Sequence, residues 1–102
     1  MFRRFEKNPI YSPHGRGWES YAVFNPSVIH RDDQWKMLYR ALGEEESVHG
    51  HWLRVSRIGC ASSPNGRDFS GGSILLAPEA PFDLFGCEDP RVTFFEGKYH
   101  IF

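Results

Sequence analysis

Asn25-Pro26-Ser27-Val28 and Asp89-Pro90-Arg91-Val92 are the two stretches whose comparison decides the fold. They lie 64 residues apart, and the match continues without a gap: Asp32 falls on Glu96, Trp35 on Tyr99, Met37 on Ile101 and Leu38 on Phe102. Each copy reads as a polar residue, a proline, a strand, an acidic turn and a second, aromatic-rich strand. A repeat of this length, holding about four short strands, is what a β-propeller blade looks like in sequence. The chain then contains about one and a half blades. It stops within Tyr99-His100-Ile101-Phe102, an apolar strand whose edge needs a neighbour. The expectation is that residues 1–102 are the N-terminal part of a single propeller domain, truncated after Phe102.

Working outward, the rest of the chain also favours strands. Seven prolines and ten glycines break it into short runs. Strands are expected at Ala22 to Phe24 with Ser27 to His30, Trp35 to Ala41, Leu53 to Ala61, Ser73 to Leu76, Arg91 to Phe95 and Lys98 to Phe102. Asp32-Asp33, Pro64-Asn65-Gly66 and Glu96-Gly97 are the turn signals. Gly43 to His51 is polar and reads as a loop. Trp35, Leu38, Tyr39 and Leu42 have helix-like spacing, but Trp35, Met37 and Tyr39 also alternate within β-rich surroundings. The class is all-β.

Composition narrows the function. A formal net charge of −1 argues against a sequence-independent nucleic-acid binder, which would carry clustered basic residues. Aromatics make up 16% of the chain, suited either to a β core or to stacking on sugar faces. Cys60 and Cys87 form neither a disulfide framework nor a metal-ligand spacing, and read as small buried hydrophobes. Met1 to Phe5 leads into polar sequence without a signal-peptide core. No stretch approaches the roughly 20 apolar residues of a membrane helix. The default location is cytoplasmic, with no membrane partner.

The chemistry concentrates in Glu88-Asp89-Pro90-Arg91. Proline after Asp89 disfavours the α region and suggests the start of a strand. In a strand, Asp89 and Arg91 share a face and Glu88 takes the other. The segment is either a ligand site or a turn aspartate with a surface salt bridge. Asn25 puts an amide where the second copy has a carboxylate, and both would face one cavity from neighbouring blades. Arg40, a charge among apolar strand residues, is either an edge residue or a channel residue with hydroxyl or anionic partners. His49 and His51 read as solvated, Glu44-Glu45-Glu46 as a solvated loop or cleft rim, and Trp18 and Trp52 as packing residues ahead of sugar platforms.

These motifs resemble glycoside hydrolase family 130, the mannoside phosphorylases and related β-mannosidases. The resemblance rests on RFEKNP (Arg4 to Pro9), VFNPS (Val23 to Ser27), LYRA (Leu38 to Ala41), IGCASSPNGRDF (Ile58 to Phe69) and GCEDPRV (Gly86 to Val92). It implies a five-bladed propeller, which at this repeat length needs roughly 320 residues. It also implies that Asp89 is the catalytic acid and that Asn25, Ser27 and Arg40 hold the sugar next to the scissile bond. Arg91 matches a motif residue near the acid, and Glu88 and Arg91 complete the candidate substrate-binding set. Ser27 and Cys87 stand where the family usually has glycine.

The implied activity is inverting phosphorolysis of β-mannosides, with β-1,4-linked substrates as the family pattern. Inorganic phosphate is the co-substrate, mannose 1-phosphate is the product, and neither cofactor nor metal is used. A β-mannoside oligosaccharide is the expected partner, with a homo-oligomer open for the full-length parent. The alternatives are a β-mannosidase that uses water, a non-catalytic carbohydrate-binding propeller, and a fragment that does nothing alone.

Overall fold

The computed structural model describes residues 3–4, 6–15, 17–48, 50–78 and 86–102. Phe5 of the RFEKNP stretch and His49 lie outside them. The described residues are all-β. Among them no helix is long and apolar enough to cross a membrane.

Among the described residues, eight strands form three antiparallel groups. They are β1 (Ala22–Arg31), β2 (Gln34–Leu42), β3 (Glu46–Val48), β4 (His51–Leu53), β5 (Ser56–Ser63), β6 (Ser70–Leu76), β7 (Val92–Phe95) and β8 (Lys98–Ile101). The main sheet is a meander in the order β1-β2-β5-β6, and β3-β4 and β7-β8 are hairpins.

The repeat holds at the level of backbone conformation. Val28 pairs with Met37 and Arg31 with Gln34; 64 residues on, Val92 pairs with Ile101 and Phe95 with Lys98. The turn residues correspond as well. Asp32 and Asp33 have φ of 53° and 59°, and Glu96 and Gly97 have 51° and 75°. Two central residues at positive φ make the tight turn whose twist suits a two-residue hairpin. The residues before the prolines match too, with φ of 49° at Asn25 and 41° at Asp89. Arg91 and Phe102 exchange both backbone hydrogen bonds, at 3.1 and 2.8 Å, extending the second hairpin by one pair.

One face of the main sheet forms the core. Met37, Tyr39, Ala41 and Ala61 are buried there, packed by Tyr11, Trp18, Val23 and Phe69. Tyr39 stacks on Trp18 with ring centres 6.2 Å apart, giving Trp18 a packing role. Gly59 lies beneath both rings; a Cβ there would come within 2.6 Å of Tyr39 Cζ and 2.7 Å of the Trp18 ring. The buried Glu19 carboxylate enters the same layer. Tyr39 Oη donates to Glu19 Oε2 at 2.6 Å and Tyr11 Oη donates to the same oxygen at 3.1 Å. His14 Nε2 lies 3.1 Å from Glu19 Oε1. Burial, reinforced by Glu19, pushes the Tyr39 hydroxyl far above its ordinary value. It remains a donor, as a buried carboxylate requires.

Three expectations need correction. Leu53 to Ala61 is not one strand: Leu53 closes β4, and the chain turns through Arg54 and Val55 before β5 begins at Ser56. Arg54 holds that turn, donating to the Gly43 carbonyl at 2.8 Å and lying 3.8 Å from the Tyr21 ring centre. Gly43 to His51 is not all loop, because Glu46–Val48 pairs with His51–Leu53. Glu46 is not a free rim carboxylate. Arg57 Nη1 and Nη2 donate to its two oxygens at 2.7 and 2.9 Å, clamping the hairpin to β5. Trp52 and His51 are exposed on this hairpin. Between β5 and β6, Ser63 Oγ and Asn65 Oδ1 accept backbone N–H groups from Asn65 to Asp68, with Gly66 at φ 75°.

The Glu46–Arg57 pair gives the hairpin a pH dependence of definite sign. The hydrogen bonds from Arg57 hold the Glu46 carboxyl below its ordinary range, against a smaller opposing effect of burial. A depressed carboxyl contributes stability above its unfolded pKa and loses it as pH falls through the folded value. Amide protection factors across Glu46–Val48 and His51–Leu53 should therefore fall as the solution is acidified below the usual carboxylate range. In Glu46→Gln they should be low and flat through that window, as hydrogen exchange would record. A wild-type hairpin equally protected at both ends of the window would count against the clamp.

Candidate active site

A bulge in β1 begins the site. Phe24 pairs with Arg40 and Ser27 with Leu38, so Asn25 and Pro26 together oppose Tyr39. Proline has no N–H to give to a ladder, and edge strand β1 is where it is tolerated. The left-handed φ of Asn25 fits a bulge whose first residue turns the strand. The bulge carries the Asn25 amide toward Asp89, and Asn25 Nδ2 donates to Asp89 Oδ1 at 2.8 Å.

Arg40 supplies the centre. It pairs with Phe24 on one side and Ile58 on the other, and its side chain leaves the sheet opposite the Tyr39 face. A guanidinium with a side chain only 21% exposed needs partners, and it has them. Nε donates to Ser56 Oγ at 2.7 Å and Nη2 donates to Glu88 Oε1 at 2.8 Å. Nη1 lies 3.7 Å from Asp89 Oδ1. The Phe24 ring centre is 4.9 Å from Cζ, within cation–π range. The sequence left Arg40 open between an edge and a partnered position; the structure places it in the partnered one.

The carboxylates arrive on the irregular segment 86–90. Gly86 makes a parallel bridge to Ser56, and Cys87 N–H donates to the Ser56 carbonyl at 2.7 Å. Gly86 has φ of 146°, and a Cβ there would lie 2.7 Å from Ser56 Cβ, so glycine permits this approach. Pro90 is fully buried and anchors the end. Ser27 Oγ accepts Val92 N–H at 3.2 Å and ties β1 to β7.

The expected division of the EDPR segment is corrected here. Asp89 and Arg91 do not share a strand face with Glu88 behind them. Asp89 is left-handed and precedes the strand, so alternation does not apply, and both carboxylates turn to Arg40. Arg91 instead donates from Nη1 to the Pro90 carbonyl at 2.9 Å. Asn25, Arg40, Glu88 and Asp89 thus meet at one exposed seam; Ser27 lies in the same seam as a strand tie, and Arg91 points its donor elsewhere. Sequence reasoning missed Ser56 and Phe24. Both are register partners along Arg40's neighbourhood, Phe24 directly across from it and Ser56 opposite Leu42, so a correct pairing of the strands would have found them.

No disulfide joins Cys60 and Cys87, and both are half-buried. Burial raises the Cys60 thiol above its ordinary value.

An antiparallel sheet with an acid, an amide and a guanidinium gathered at its seam fits the carbohydrate-active class that the motifs indicate. The chain belongs to glycoside hydrolase family 130: the family profile described as beta-1,4-mannooligosaccharide phosphorylase matches residues 2–102. Over 99% of its length the chain is 36% identical to a protein named Beta-1,2-mannobiose phosphorylase from Thermoanaerobacter sp. (strain X514), covering 36% of that protein. Over 97% of its length it is 29% identical to a 1,2-beta-oligomannan phosphorylase of the same strain, covering 34% of that protein. The chain therefore spans about a third of the length of the curated relatives it matches.

The close approach of Gly86 to Ser56 is directly testable. In Gly86→Ala the new methyl meets Ser56 and the residue is held at a φ that L side chains rarely adopt. The segment should lift from β5 and expose Cys87. Alkylation of Cys87 by iodoacetamide, followed by peptide mass spectrometry, should accelerate relative to Cys60 in the same protein. An unchanged ratio of the two rates would show that the bridge does not depend on glycine.

Proposed function

We propose that these residues supply the acid and part of the sugar-holding wall of an inverting β-mannoside phosphorylase built on a single five-bladed propeller domain. The observation that carries this reading is the convergence of Asn25, Arg40 and Asp89 from three separate segments. Asp89 Oδ1 stands 2.8 Å from the Asn25 amide and 3.7 Å from the Arg40 guanidinium. Asp89 is the general acid. Asn25 and Arg40 present donors to the sugar hydroxyls beside the scissile bond, with Ser27, Glu88 and Arg91 holding the surrounding frame.

In the reaction, inorganic phosphate attacks the anomeric carbon from the face opposite the leaving oxygen. The glycosidic C–O bond breaks, the new bond to phosphate forms with inversion, and the leaving oxygen takes a proton that originates at Asp89, relayed through a sugar hydroxyl. An inverting hydrolase needs a base to activate water as well as an acid. Phosphate is already an anion, so one acid and a cationic phosphate pocket suffice, with no cofactor beyond this co-substrate. The products are mannose 1-phosphate and the shortened sugar. On linkage, the family description reads 1,4 and both curated relatives are named for 1,2. The relatives favour a β-1,2-mannoside as the substrate of the whole protein, in place of the β-1,4 expectation.

Asp89→Asn in the full-length polypeptide tests the acid. The substitution keeps an oxygen that can accept from Asn25, so the local geometry should persist. Turnover of β-1,2-mannobiose with phosphate should fall by about 10²–10⁴-fold, the usual range for a lost general acid. An aryl mannoside with a nitrophenol leaving group needs less protonation and should lose less. Wild-type turnover in the variant would remove Asp89 from catalysis, and equal losses on both substrates would make it a sugar-positioning group instead. Parallel assays with β-1,4-mannobiose decide the linkage.

A further inference from the structure

We propose that Ser56 is the positioning residue of this site, setting the orientation of Arg40 and the approach of the acid segment from one buried point. The proposal rests on the sugar-binding role given above to Arg40. Ser56 is 2% exposed, at the first position of β5. Its side chain and its backbone do separate jobs. Oγ accepts the Arg40 Nε–H at 2.7 Å, while the carbonyl accepts Cys87 N–H at 2.7 Å. The parallel bridge to Gly86 adds a second backbone tie.

The geometry explains why Nε matters. A guanidinium is planar, so fixing Nε fixes the plane in which Nη1 and Nη2 lie. With Nε on Ser56, Nη2 reaches Glu88 at 2.8 Å and Nη1 stands 3.7 Å from Asp89. Without the hydroxyl, the guanidinium can rotate to follow Glu88, whose side chain is 63% exposed and free to move with it. The Arg40–Asp89 spacing is then no longer set. Because the contacts to Gly86 and Cys87 are made by backbone atoms, loss of the hydroxyl alone leaves that segment docked. Ser56 touches no reacting atom and acts through Arg40.

The test is a double-mutant cycle in the full-length polypeptide, read as kcat and KM for phosphorolysis of a β-mannobiose. Ser56→Ala should lower kcat/KM by about 10–100-fold, by analogy with partners that orient the ligands of a metal ion. Arg40→Ala should lower it at least as far. In the double variant the loss should equal that of Arg40→Ala alone, because Ser56 has nothing left to orient. Ser56→Thr retains the hydroxyl and should recover most of the activity. Thermal melts of the four variants beside wild type separate orientation from unfolding. Losses that add in the double variant would overturn the proposal, since Ser56 would then act through the fold. So would Ser56→Ala at wild-type kcat/KM beside an impaired Arg40→Ala. Wild-type activity in Arg40→Ala would instead overturn the sugar-site reading on which the proposal stands.

Discussion

A positive charge has been placed near the end of an apolar strand, and the rest of the site is arranged around satisfying it. Arg40 lies between Leu38 and Leu42 on one sheet face, with Ile58 and Phe24 as cross-strand neighbours. Leaving a guanidinium there without partners would cost several kcal/mol in desolvation. Its partners come from β5, in Ser56, and from the distant segment of Glu88 and Asp89. The charge therefore draws together pieces of chain that hydrophobic packing alone would not bring into register. Electrostatics at the seam and apolar packing on the Tyr39 face divide the sheet into a chemical side and a structural side.

The structural side has its own buried charge, solved differently. Glu19 is enclosed by hydroxyls and an imidazole, where the seam uses a cation. Tyr11 and Tyr39 each offer an aromatic body to the core and a donor to the carboxylate, a combination suited to a layer that must be apolar and still bury an acid. Gly72 faces the same group, and a Cβ there would come within 2.7 Å of the Tyr39 hydroxyl. The glycines at 59 and 72 make room for rings and hydroxyls; neither supplies a turn.

Much of this was legible in the sequence, because the repeat encodes backbone geometry as well as hydrophobicity. The proline steps and the acidic turns seven residues later recur in both copies, and the structure gives both the same left-handed positions, where an extended residue was expected ahead of Pro90. The expected meeting of Asn25 and Asp89 followed from that offset, whereas Arg40 entered the site only through the family resemblance. What failed was the use of strand alternation on Glu88 to Arg91, because a left-handed residue interrupts the period of two. The β3-β4 hairpin escaped notice for a related reason. Its strands are only three residues long, begin in an acidic stretch, and are tied to β5 by the Glu46–Arg57 pair. The Glu19 network was invisible since its partners lie 8 and 20 residues away, with no periodic relation between them.

The matched left-handed positions have an evolutionary corollary. Asparagine and aspartate are the non-glycine side chains that accept this conformation most readily. They are nearly the same shape, and their codons differ by a single nucleotide. The repeated segment thus carries a slot that can be read out as a neutral amide or as an acid, with a left-handed backbone in both copies. Position 25 holds one version and position 89 the other. One backbone slot thus serves both a neutral donor and an acceptor carboxylate, and the two versions of it are joined to each other by a hydrogen bond of 2.8 Å.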